Sequence, residues 1–222
     1  MRKEIRNLIL ILCVGLAISF VVYQYINPSA APVVTYDSDP NLKPPPMVGN
    51  MISAHSFTMG PIEAKAVVVE FFDPECETCA SVAPFVEKEM KFYNGKVRWA
   101  FRYMAYHFNS KTAIHVLEAA RKQNLFLEVQ HALFESQKVW GEQKVSTEKE
   151  ILEVVAKVKK IKMAQLKIDM QDPAIDELIA KDKFEGEQAG VNGTPTFFVN
   201  GVILEQLNLD LLIQKINQQL QP

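Results

Sequence analysis

The residues with the most chemistry to offer are Cys76 and Cys79, separated by Glu77 and Thr78 in "FFDPECETCASVAPF" (71–85). An apolar run precedes the pair and a helical period follows it, so the cysteines fall at a helix start. There the unpaired N–H groups and the positive end of the helix dipole stabilise a thiolate at Cys76, which becomes the nucleophile. Cys79, one turn further in, is more shielded and keeps a higher pKa. Such a pair suits thiol-disulfide exchange, in which the exposed thiol attacks or is attacked and its neighbour resolves the mixed disulfide. Other uses of the pair stay open at this point. A zinc site needs four ligands, whereas His55, His107, His115 and His131 are dispersed. Two thiolates also suit Cu(I), and an inert local disulfide would close only a small loop.

The elements that must position the pair read as follows. "AKAVVVEFFD" (64–73) is a continuous apolar, β-branched run, the pattern of a strand buried on both faces. Val82, Phe85, Val86, Glu89, Met90 and Tyr93 recur at helical spacing, predicting a helix from about Cys76–Thr78 to Gly95. "KVRWAFRYMAY" (96–106) is the next strand, which completes a βαβ unit with parallel strands. From Ser110 to Gly190 four amphipathic stretches, split by Asn, Gly-Glu and Asp-Pro breaks, predict a helical insertion. "TPTFFVNGVILEQ" (194–206) reads as two short strands around an Asn200-Gly201 turn, and a closing helix runs from about Asn208 to Leu220.

The chain has 222 residues, 48% hydrophobic and 23% charged, enough for one domain and a further segment. Net charge is −2 with Lys and Arg interspersed among Asp and Glu, which gives no nucleic-acid footprint. Three cysteines, with Cys13 far from the pair, cannot form a disulfide framework. Arg2, Lys3 and Arg6 precede the apolar stretch Leu8–Ile26, which at about 1.5 Å per residue spans roughly the 30 Å of a bilayer core. A cleaved signal has a shorter apolar core, of about 7–15 residues, and cutting after Ser29-Ala30-Ala31 would leave Pro32 first. An uncleaved anchor is therefore expected. Basic residues before it and Tyr23 and Tyr25 at its far end place the N-terminus inside and the rest outside the cytoplasm, in an oxidising compartment. The expected organisation is an anchor over 1–27, a Pro-rich tether over 28–50, an α/β domain in two parts (51–109 and 191–222), and the helical insertion over 110–190.

Taken together, Cys-x-x-Cys after an apolar strand, a helical insert and a late Thr194-Pro195 in "VNGTPTFFVNG" resemble the DsbA-like thiol-disulfide oxidoreductases, over roughly residues 52–220. The resemblance implies a thioredoxin fold with an inserted all-helical subdomain, following the transmembrane anchor. It implies that Pro195 is a cis-proline packed against the pair and keeping metal from it, and that the Thr194 backbone offers an edge to an extended substrate. It also implies that Glu70 is the buried acid beneath Cys79 that moves its proton. The family needs no metal, nucleotide or flavin, since the Cys76–Cys79 disulfide is itself the redox group. Its implied partners are cysteine-containing exported proteins and a membrane redox protein. The implied location is the inner (cytoplasmic) membrane, single-pass, with the catalytic domain in the periplasm or outside the cell. An oxidase is the first expectation; a reductase or isomerase of the same fold, or a non-enzymatic Cu(I)-binding assembly factor, is the alternative.

This sequence departs from strongly oxidising members at Glu77-Thr78, and Glu75 precedes the motif. Each carboxylate, at about 8 Å and an effective dielectric of about 40, would oppose the thiolate by roughly 1 kcal/mol. The expected Cys76 pKa is therefore nearer the value of about 7 in thioredoxin than the value of about 3.5 in DsbA. His107 reads as a loop histidine without a catalytic task, and His115 and His131 as ordinary helix residues.

Overall fold

The run of β-branched and aromatic residues at Ala66–Phe72 forms strand β2, buried at every position. In the computed structural model, which describes residues 51–141 and 144–221, β2 is the centre of a five-stranded mixed sheet. The anchor and tether expected over 1–50 lie outside the described residues. Among the described residues no helix is long and apolar enough to cross a membrane.

Strand β1 (Phe57–Met59) pairs antiparallel with β3 (Val97–Tyr103), and β3 pairs parallel with β2, Val68 facing Trp99 and Phe72 facing Tyr103. On the other side β4 (Thr196–Val199) runs antiparallel to β2, with Glu70 opposite Phe197, and β5 (Val202–Ile203) closes the hairpin. Asn200 and Gly201 both have positive φ, 47° and 80°, the conformation a two-residue hairpin turn requires. Asn200 also locks the hairpin to the start of β2, accepting from Val67 N at 2.7 Å.

Helix α1 (Glu77–Phe92) connects β2 to β3 and buries Cys79, Val82 and Val86 on one stripe. Pro84 lies inside it and removes one backbone bond, yet the helix continues because that stripe is packed. Between β3 and β4 the described chain runs through α2 (Ser110–Arg121), α3 (Phe126–Glu135), α4 (Gln137–Trp140), α5 (Glu148–Val155), α6 (Met163–Asp169) and α7 (Ala174–Gln188). Helix α8 (Leu209–Leu220) ends the fold, its N-cap Asn208 accepting from Leu211 N.

Strand alternation sorts the core into two layers. Val68, Phe72, Trp99, Phe101 and Phe197 share one cluster with α1, α8 and the buried faces of α2, α3 and α5. Val67, Val69, Phe71, Ala100 and Phe198 form the second, with Met51 and Val191. Glu70 shares parity with Val68 and Phe72, so it falls on the layer that receives α1 and the cysteines.

Candidate active site

Cys76 is the N-cap of α1, with extended φ and ψ of −77° and 121°, and Cys79 lies in the first turn. Both are free thiols; Cys76 keeps 8% of its surface exposed and Cys79 none. The sequence between Phe72 and Glu77 folds as a tight turn because Asp73 gathers it: its carbonyl accepts from Cys76 N at 3.1 Å and its carboxylate from Glu75 N at 2.8 Å. Opposite stands the start of β4, where the Thr194–Pro195 peptide is cis and the Thr194 carbonyl lies 3.3 Å from Cys76 Sγ. The residues expected from the sequence, Cys76, Cys79, Thr194, Pro195 and Glu70, thus lie around one point of the sheet, where β2 ends, α1 begins and β4 starts.

The two thiols differ electrostatically. The Cys79 side chain, hydrogen-bonded to Cys76, brings the Cys76 pKa down to about 5, against the effect of burial and with help from the Thr194 side chain and the N–H groups of Cys79 and Thr78. Burial pushes Cys79 well above its usual range, and the charges of Glu70 and Cys76 act in the same direction. Glu70, 5% exposed, is raised to about 8, chiefly by burial and then by the charge of Cys76. At neutral pH the site therefore holds one thiolate, one thiol and one carboxylic acid.

At about 5, Cys76 lies between the thioredoxin and DsbA values of about 7 and about 3.5, lower than the two flanking acids led one to expect. Glu75 is 1% exposed and turned to the start of α2, where it accepts from Asn109 N at 2.5 Å, and Glu77 is exposed. None of the largest influences on Cys76 comes from either carboxylate. Of the two acids that flank the motif, Glu75 is thus consumed in tying the loop to the helical insertion. His107, expected as a loop histidine, places its ring Nδ1 2.8 Å from Asp73 Oδ2, beside the turn that carries Cys76. Neither Asp73 nor His107 was marked by local pattern. The Asp-Pro that ends β2 reads as an ordinary strand stop.

The family model described as Thioredoxin matches residues 53–217. A relative from Rickettsia prowazekii (strain Madrid E), provisionally named a protein-disulfide oxidoreductase, is 24% identical over 207 residues, covering 90% of this chain and 75% of that one. One from Bacillus anthracis, provisionally named disulfide bond formation protein D, is 28% identical, covering 78% of this chain and 82% of that one. The solved structure of alpha-DsbA1 from Wolbachia pipientis superposes with a TM-score of 0.67 at 19% identity, covering 76% of this chain and 92% of that one. The chain also matches the Na(+)/H(+) antiporter NhaA of Herminiimonas arsenicoxydans at 27% identity over 64% of its length, but spans only 22% of the antiporter. The chain belongs to the thioredoxin family.

Proposed function

We propose that this chain is a membrane-tethered, extracytoplasmic thiol-disulfide oxidoreductase that oxidises cysteines of exported proteins through Cys76 and Cys79. The observation that carries the reading is the contrast within the pair: an N-cap thiol held to about 5, and a buried neighbour held far higher. A thiolate this favoured stabilises the reduced state, and a stabilised reduced state makes the disulfide oxidising. The same contrast favours the oxidase over a reductase of the same fold.

The cycle begins with a substrate thiolate attacking Cys76 Sγ of the disulfide. The S–S bond breaks and Cys79 leaves, taking the proton that Glu70, as a carboxylic acid, is poised to supply. A second substrate thiolate then attacks the substrate sulfur of the mixed disulfide and expels Cys76 as the favoured thiolate. The substrate gains a disulfide and the enzyme is left with the reduced pair. A membrane redox partner would accept those two electrons. The Thr194 backbone and Pro195 would hold the extended substrate over Cys76. The exposed side chains of Tyr106 and Phe108, in the loop that follows β3, suit an unfolded polypeptide.

The division into an anchor (1–27), tether (28–50), split thioredoxin-like domain (51–109 and 191–222) and helical insertion (110–190) belongs to the same proposal. Leu8–Ile26 would keep the domain within reach of its partner in the inner membrane. The deciding experiment equilibrates the full-length chain in glutathione buffers. The expected potential lies nearer the DsbA end of about −120 mV than the thioredoxin end of about −270 mV. Cys76→Ser should abolish oxidation of a reduced two-cysteine peptide, and Cys79→Ser should accumulate the mixed disulfide. A potential near −270 mV would make the chain a reductase.

A further inference from the structure

His107 takes part in no step above, yet it is bonded to the residue that organises the cysteine turn. Asp73 is fully buried and accepts from five donors. Oδ1 receives Glu75 N at 2.8 Å and Ser110 Oγ at 2.6 Å, while Oδ2 receives Tyr106 N at 2.8 Å, His107 N at 3.3 Å and the His107 ring Nδ1 at 2.8 Å. This is the bonding of an ionised carboxylate, which can only accept. The main chain of Asp73 touches both cysteines, its carbonyl taking the Cys76 N–H and its backbone favouring ionised Cys79. Ser110 is fully buried with its hydroxyl committed to Asp73, so Ser110, His107 and Asp73 are not a nucleophilic triad.

We propose that His107 is a positioning residue for the exchange reaction: protonated at Nε2, it neutralises the Asp73 carboxylate beside Cys76 and favours the reduced, thiolate state of the pair. The proposal rests on Cys76 and Cys79 being the redox pair. With Nδ1–H given to Asp73, Nε2 is the nitrogen that gains or loses the proton. The titratable groups acting on the ring are Asp73, Cys76 and Glu75, from the segment between β2 and α1. Helix α2 contributes the Ser110 hydroxyl, accepting from His107 N at 3.1 Å, and from α7 Glu187 acts on the adjoining Tyr106. Burial works against protonation of the ring. The Asp73 hydrogen bond and the charges of Asp73, Cys76 and Glu75 outweigh it and raise His107 above the ordinary 6.5.

The Cys76 charge exists only in the reduced protein, because a disulfide is neutral. Reduction must therefore strengthen proton binding at His107, and by linkage the imidazolium favours the thiolate by the same factor. The balance is explicit. A substrate dithiol supplies two electrons and its protons; Cys79 keeps one proton, Cys76 stays ionised, and between the two His107 midpoints a fraction of the other goes to Nε2.

The test records the imidazole resonances of the full-length chain, labelled in histidine, across pH 4.5 to 9 in both redox states. The His107 signal is assigned by its loss in His107→Gln. Proton affinity at His107 is expected to be about three- to tenfold higher in the reduced chain, the size of effect a nearby, partly solvated unit charge exerts. His55, His115 and His131 should be unaffected. His107→Gln should shift the glutathione equilibrium by the same factor towards the disulfide, roughly 15 to 30 mV for a two-electron couple. Equal His107 midpoints in the two states overturn the proposal without requiring any variant to fold, as does an unchanged equilibrium in folded His107→Gln. Comparing the reduced chain with Cys76→Ser removes the thiolate without oxidation. The coupling can thus be judged even if the pair fails to exchange disulfides, and an equal midpoint there also refutes it.

Discussion

One turn of helix separates two thiols of identical chemistry, and their surroundings drive them to opposite sides of neutrality. Cys76 takes the N-cap position and receives a hydrogen bond from Cys79, whose own burial keeps it protonated. Alkylation by iodoacetamide should therefore have a midpoint near 5 at Cys76 and leave Cys79 untouched. Cys79→Ala removes the largest stabilising influence and should move that midpoint upward. Glu70 gives a second prediction at this scale. Its folded pKa of about 8 exceeds the ordinary 4.5, so the unfolded chain releases this proton first and the contribution of Glu70 to stability falls as pH rises from about 4.5 to 8. Cys76 has the reverse sign: its folded value of about 5 lies below the ordinary 9.0, so its contribution is complete above 9 and is lost as pH falls through 5. The two oppose each other between pH 5 and 8. Urea denaturation of the reduced chain should show Glu70→Gln gaining stability relative to wild type as pH rises, by at most about 1.4 kcal/mol per unit. A pH-independent difference would mean that Glu70 is already ionised at pH 5.

At the scale of elements, α7 reaches the second layer of the core through a residue with no side chain. A Cβ on Gly186 would lie 2.8 Å from Met104 Sδ and 2.9 Å from Phe71 Cε1. Ordinarily Gly→Ala in a helix stabilises by about 1 kcal/mol. Here the overlap should outweigh that gain, since overpacking costs about 1–3 kcal/mol. Gly186→Ala is expected to lower the urea midpoint, and a raised midpoint would mean that α7 can slide away from β2. This close approach illustrates what the sequence could convey. Strand β2, helix α1, strand β3 and the Asn200-Gly201 hairpin were legible because an apolar run, a 3.6-residue period and a turn pair are local signals. Strand β1 was not: three residues carry no alternation, and Phe57–Met59 is a strand only because β3 pairs with it. The motif cysteines, Thr194, Pro195 and Glu70 could be named from type and order along the chain. The Asp73–His107 contact spans 34 residues and the Arg102–Asp182 contact 80, so neither leaves a local trace.

Across the whole described fold, Arg102 joins three parts of the chain that are remote in sequence. Its guanidinium is 1% exposed, donates from Nε to Asp182 Oδ1 at 2.7 Å, pairs with Glu185, reaches the Met51 carbonyl at 3.3 Å and lies 4.8 Å from the centre of the Phe71 ring. Asp182 in turn accepts from Tyr103 N at 2.9 Å and lies 2.6 Å from His55 Nε2. Strand β3, helix α7 and the segment entering β1 are thus fastened on the sheet layer away from the cysteines. Removing one partner leaves the other charge buried without its counterpart, which typically costs about 3–5 kcal/mol, a large part of the roughly 5–15 kcal/mol a domain of ordinary stability possesses. Arg102→Met should therefore lower the urea midpoint sharply. Arg102→Met combined with Asp182→Leu should recover part of the loss, though not all, because Tyr103 N and His55 lose their acceptor. The iodoacetamide midpoint of Cys76 should stay near 5 in any variant that still folds, because the two sites occupy different layers. A cost below about 1 kcal/mol for Arg102→Met would show that apolar packing alone fastens α7 to the sheet. A shifted Cys76 midpoint would show instead that the ion cluster and the redox pair communicate through β3.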